Sequence, residues 1–110
     1  MNEQSAERLV ERLVELRRNA EVDSEQYAAA SKLYRWLQNP AAVLLLQKHI
    51  SLTRAPWKHV VFEIVASDGF SELFEIEGDR VVLRESVTRQ DLEVLVRAVW
   101  RVSGVPRVMG

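Results

Sequence analysis

Between Ser5 and Ala20 apolar residues return every three or four positions: Ala6, Leu9, Leu13, Leu16 and Ala20, widened by Val10 and Val14. That period predicts an amphipathic helix. Its apolar stripe covers barely two heptads, too short for an independent coiled coil, so the helix is expected to pack on its own domain. Asp23, with Gln26 three residues on, reads as the N-cap of a second helix running to about Gln38. Tyr27, Ala30, Tyr34 and Leu37 form one stripe of that helix, and Ala29, Leu33 and Trp36 a second. Asn39-Pro40 then punctuates the chain. A third helix is expected from Ala41 to about Leu52, apolar nearly all round through Val43–Leu46 and Ile50.

After Pro56 the period shortens to two. Val60, Phe62, Ile64 and Ala66 alternate, which predicts a strand over His59–Ala66. Asp68-Gly69 reads as a hairpin turn, Leu73–Glu77 as a second strand, Gly78-Asp79 as another turn, and Val81–Leu83 as a third strand. Thr88 predicts the cap of a last helix, with Asp91 at its third position and Leu92, Leu95, Val96, Val99 and Val102 as its buried stripe. Ser103-Gly104 and Pro106 end it.

The expected architecture is therefore α+β in the order ααα-βββ-α, with the helices packed on one face of a three-stranded antiparallel meander. Residues 1–110 are expected to form one domain: a helical half at 5–54, a β-meander at 59–86, a C-terminal helix at 88–103 and a short tail at 104–110. There is no cysteine, which removes disulfides, thiol nucleophiles and thiolate metal sites. The start of the chain is polar and acidic rather than basic and apolar, and the longest apolar run, Ala41–Leu46, is six residues. Neither a signal peptide nor a membrane span is expected, and the reading is cytoplasmic.

Charge changes the picture more than composition does. From Gln26 to Phe62 there are 37 residues without an acid, carrying Lys32, Arg35, Lys48, Arg54 and Lys58. Residues 63–93 carry a net charge of −6, although the whole chain is only −1. Much of the acid-free window is explained by burial of the expected third helix. Its downstream end is not: Lys48, His49, Arg54, Trp57, Lys58 and His59 gather at the expected helix-to-sheet junction. Cations mixed with an aromatic suit either phosphate with base stacking or an acidic protein surface.

Each chemical candidate has a competing reading. A helix-turn-helix would make the third helix the reader, yet its leading residues Pro40, Ala41, Ala42, Val43 and Leu44 offer side chains that cannot hydrogen-bond to bases. Glu63, Asp68, Glu72, Glu75, Glu77 and Asp79 could serve a metal-dependent enzyme, but Glu75 and Glu77 alternate with Phe74 and Ile76 as a solvated sheet face should. His49 and His59 lack metal-ligand spacing. No phosphate loop or nucleophile elbow is present. Trp57, Val61, Val65 and Trp100, with Arg97 and Arg101 beside Trp100, are expected to form apolar and aromatic contact surface.

The sequence thus points to a non-enzymatic protein-interaction or assembly module, docking on a protein partner or on a second copy through apolar and aromatic surface with complementary charge. No cofactor or metal is expected. The alternative is a small nucleic-acid-binding regulator using Lys48, His49, Arg54, Lys58 and His59. A metal-dependent enzyme using the strand carboxylates is a third reading.

Overall fold

A computed structural model describes residues 1–39, 49–52 and 55–103. Helix α1 spans Glu3–Asn19, with Asn2 as its N-cap: the Asn2 Oδ1 accepts from the Ser5 amide at 2.8 Å. Ala6, Leu9, Val10 and Leu13 of its predicted stripe are buried. Helix α2 spans Glu25–Gln38 and is capped by Ser24, whose hydroxyl accepts from the Tyr27 amide at 3.1 Å. The expected cap, Asp23, lies one residue too early. Ser24 also donates to the Glu21 carbonyl at 2.7 Å, so one hydroxyl closes the turn and starts the helix.

The middle of the chain departs from expectation. His49–Ser51 is strand β1, not the end of a helix. Ile50 and Leu52 are buried while His49 and Ser51 are exposed, an alternation that belongs to a strand. The rest of the expected third helix, Ala41 to Lys48, lies outside the described residues. Lys58–Ala66 is helix α3, not a strand. Six of its nine residues, all but Lys58, His59 and Glu63, are apolar, and such a run satisfies period two and period 3.6 together. Packing selects the helix. Val61, Ile64 and Val65 are buried at i, i+3 and i+4, and His59, Glu63 and Ala66 are exposed at i, i+4 and i+7.

Asp68-Gly69 makes no hairpin. Gly69, at φ +88°, reverses the chain out of α3 into a single 3₁₀ turn at Phe70–Glu72, which buries Phe70. Strands β2, Phe74–Glu77, and β3, Arg80–Leu83, form the predicted hairpin through Gly78-Asp79, with Gly78 at φ +60°. The β1 strand joins the far side of β3, giving an antiparallel sheet of order β1-β3-β2. Ile50, Val81 and Ile76 share one row, and Phe74 pairs with Leu83 on the same face. That face turns toward the core. His49, Ser51, Glu75, Glu77, Arg80 and Val82 occupy the other.

Helix α4 spans Arg89–Ser103. Its predicted stripe is borne out: Leu92, Leu95, Val96 and Val99 are buried, with Val102 partly so. Helix α4 packs on α1 and α2, α1 also packs on α2, and α3 packs on α2 and β2. Trp36 of α2 meets Phe74 of β2 edge-to-face, with ring centroids 5.7 Å apart, which fastens the helices to the sheet. The described fold is thus α+β with four α-helices and a three-stranded antiparallel sheet, two helices preceding β1 and two following it. Among the described residues no helix is long and apolar enough to cross a membrane.

The start of α4 is a reciprocal cap. Thr88 Oγ1 accepts from the Asp91 amide at 3.2 Å, and Asp91 Oδ2 accepts from the Thr88 amide at 3.0 Å. The Met1 ammonium also lies 3.0 Å from Asp91 Oδ1. The Thr88 amide bond, prevailing over burial and aided by the ammonium, holds the Asp91 carboxyl below the usual carboxylate range.

Val61→Ala should cost about 2 kcal/mol in urea unfolding, whereas His59→Ala should cost less than about 0.5 kcal/mol. Thr88→Ala should cost about 1 kcal/mol at neutral pH. The Asp91 contribution, having a lowered folded pKa, is complete above about pH 4 and is lost as pH falls through the lowered value. Asp91→Asn should therefore flatten that acid limb of the stability profile, measured by urea unfolding between neutral and acid pH.

Candidate interaction surface

Part of the charge singled out in the sequence is engaged within the chain. Lys58 opens α3, where a cation faces the unfavourable positive end of the helix dipole and no side chain caps the turn. Asp79 offsets this: its Oδ1 lies 3.1 Å from Lys58 Nζ. The Asp79 carbonyl also accepts from the Leu52 amide at 3.0 Å. One residue of the β2–β3 turn thus holds both the exit from β1 and the entry to α3. The basic junction meets the acidic sheet of its own chain. His49 and His59 are exposed on β1 and α3, and Trp57 is partly buried against the core. Lys48 and Arg54 lie outside the described residues.

The expected aromatic surface divides into separate places. Val61 and Val65 were expected on an open sheet face; they are 0% and 1% exposed, because α3 turns them into the core. That expectation is corrected by the change from strand to helix. Trp100 packs partly buried against the core from α4. Arg101 crosses to α1, with Nε 2.6 Å from Glu7 Oε1 and Nη1 4.0 Å from Glu3 Oε1, so it clamps two helices. Arg97 is partly buried on α4.

The carboxylates separate as well. Glu63 is on α3, Asp68 in the following turn and Glu72 in the 3₁₀ turn, while Glu75 and Glu77 share the open sheet face. Glu75 pairs with Arg84 at 3.3 Å, and Arg84 Nε donates to the Ser71 carbonyl at 2.7 Å. Glu77 lies 3.7 Å from Arg80. Beside them runs a groove of about 330 Å³ lined by Glu75, Glu77, Arg84, Glu85 and Arg89 over Val82 and Leu92. Among the described residues no three histidine or carboxylate side chains converge as a metal site would require.

Two features escaped the sequence reading. The first is a corner between α1 and α2. Arg17 Cζ lies 5.5 Å from the ring centroids of both Tyr27 and Tyr34, and Arg17 Nη2 lies 3.5 Å from the Tyr27 hydroxyl. Arg17, Arg18, Val14, Ala20, Val22 and Tyr27 line a cleft of about 290 Å³ there. Among the described residues neither Arg17 nor Arg18 has an ion pair. Tyr27 and Tyr34, seven apart on one helical face, were the available signal. The second feature is exposure of large apolar side chains: Val22 is 72% exposed and Ile76 43%. Val22 lies beside the two arginines, and Ile76 follows Glu75 and precedes Glu77 in sequence, its side chain on the opposite face of β2 from theirs.

No protein family, curated protein or solved structure matches this chain.

The Lys58–Asp79 pair is partly solvated, so a double-mutant cycle on Lys58→Ala and Asp79→Asn should give a coupling below about 1 kcal/mol. That coupling should shrink further in about 1 M salt.

Proposed function

We propose that this chain is a protein-interaction or assembly module that self-associates and works by surface complementarity rather than catalysis. One observation carries the reading: the two most exposed large apolar side chains among the described residues are Val22, beside Arg17 and Arg18, and Ile76, on the edge strand that carries Glu75 and Glu77 on its other face. An apolar side chain left in water beside aligned charge suits a partner that covers the one and neutralises the other. Trp57, Trp100 and Arg97, partly buried, would contribute at the margins of such contacts, and cytoplasmic function remains part of this reading.

The nucleic-acid alternative draws less support. Of its five contact residues, Lys58 is already paired with Asp79, and Lys48 and Arg54 lie outside the described residues. The enzymatic alternative draws on Glu75 and Glu77, each of which has an arginine beside it.

Size-exclusion chromatography with light scattering tests the proposal. Mass should rise with protein concentration at low salt and fall back toward one chain as salt is added. A strict monomer at every concentration would count against self-association.

A further inference from the structure

The corner cleft holds two cations that have no ion pair among the described residues. Arg17 is only partly exposed, its guanidinium is framed by two tyrosine rings, and it lacks an acidic partner; Arg18 beside it lacks one too. Cation–π contact fixes a guanidinium in place without neutralising it, so Arg17 is held ready for an oxyanion. Val22 on the same cleft is open to solvent. The ligand that satisfies all three is a carboxylate next to an apolar side chain, on a segment accessible enough to enter.

The chain carries such a segment. In β2, Glu75-Ile76-Glu77 offers an exposed apolar residue at the strand edge, flanked in sequence by two acids whose side chains point to the other sheet face, and Glu77 is exposed with only a 3.7 Å contact to Arg80. The described sheet places β2 at an edge, with β3 on its other side. In the antiparallel ladder the Leu73 carbonyl accepts from the Arg84 amide, so Glu75 and Glu77 also point their backbone groups at β3. The Ile76 backbone groups therefore point outward. Pairing β2 with β2 of another copy is disfavoured, because a register with Ile76 opposite Ile76 sets Glu75 against Glu77.

We propose that the Arg17–Arg18–Val22 cleft of one copy receives Ile76 and Glu77 of a second, in a head-to-tail contact. The proposal rests on the self-association reading and specifies its surface. Because Ile76 and Glu77 point to opposite faces of β2, the cleft straddles the strand edge: Arg17 and Arg18 meet the Glu77 carboxylate on one side while Val22 covers Ile76 on the other. Such a contact uses two different patches, so each bound copy leaves one patch of each kind free, and association can continue into rings or chains. A contact built on so few side chains is weak and salt-sensitive.

Sedimentation velocity of the full chain and two charge-reversal variants decides it. Arg18→Glu and Glu77→Arg both alter exposed side chains and should leave the circular dichroism spectrum unchanged. Each alone should weaken self-association roughly tenfold or more. An equimolar mixture should regain association, because the reversed cleft of one now matches the reversed strand of the other. Wild-type association left intact in both variants, or weakened but not regained in the mixture, would overturn this contact while leaving the self-association reading standing. A wild-type chain that stays monomeric at all concentrations would overturn both.

Discussion

Burial of α2 on three sides is the constraint on which the rest of the structure depends. This helix packs on α1, α3 and α4. Ala29, Ala30 and Ser31 let neighbouring backbones approach closely, and Leu33, Tyr34, Trp36 and Leu37 fill the spaces between them. A helix apolar over so much of its circumference is stable only when surrounded. That requirement explains why the run after Lys58 is helical: α3 supplies Val61, Ile64 and Val65 as a third packing wall. Trp36 extends the same requirement to the sheet through Phe74. Among the described residues its indole N–H and the Ser31 hydroxyl are buried without hydrogen-bond partners.

Charge is arranged around this core to fix its margins. Arg101 ties α4 to α1, Arg84 ties β3 to Glu75 and to the 3₁₀ turn, and Asp79 ties the hairpin turn to α3. These pairs are largely solvated, so they define geometry more than they add stability. The segregation of acids from bases along the sequence thus has a partly internal use: the basic stretch and the acidic stretch that follows it meet at Lys58 and Asp79. Among the cations left without an ion pair in the described residues are Arg17 and Arg18, and Arg17 packs against Tyr27 and Tyr34 at the start of the acid-free window.

The elements at the two ends of the chain were legible because each had one clear period and recognisable caps. Leu92, Leu95, Val96 and Val99 could be read as a buried helical stripe, and Thr88 with Asp91 as its start. Gly78-Asp79 marked its hairpin because a two-residue turn there favours a left-handed glycine. The middle was ambiguous for a physical reason. Val60 to Ala66 contains too few polar residues to reveal its phase, and only His59 with Glu63, four apart, signalled a helix. His49 to Leu52 alternated correctly for a strand but was absorbed into the apolar run before it. The misplacement of Val61 and Val65 on an open face followed from that one error. The Arg17 cleft was invisible for another reason: it depends on a turn that brings residues from two helices together, and no single-helix pattern contains it.

The central claim is that the surface left for function is the corner at Arg17–Val22 together with the β2 edge at Ile76, not the junction at Lys58. Hydrogen–deuterium exchange measured on dilute and concentrated protein tests it most directly. The account predicts that amides near Val22 and at Ile76 gain protection together as concentration rises, while those of α3 do not change. Protection that grows at Trp57–His59 instead, or at neither of the two sites, would contradict it.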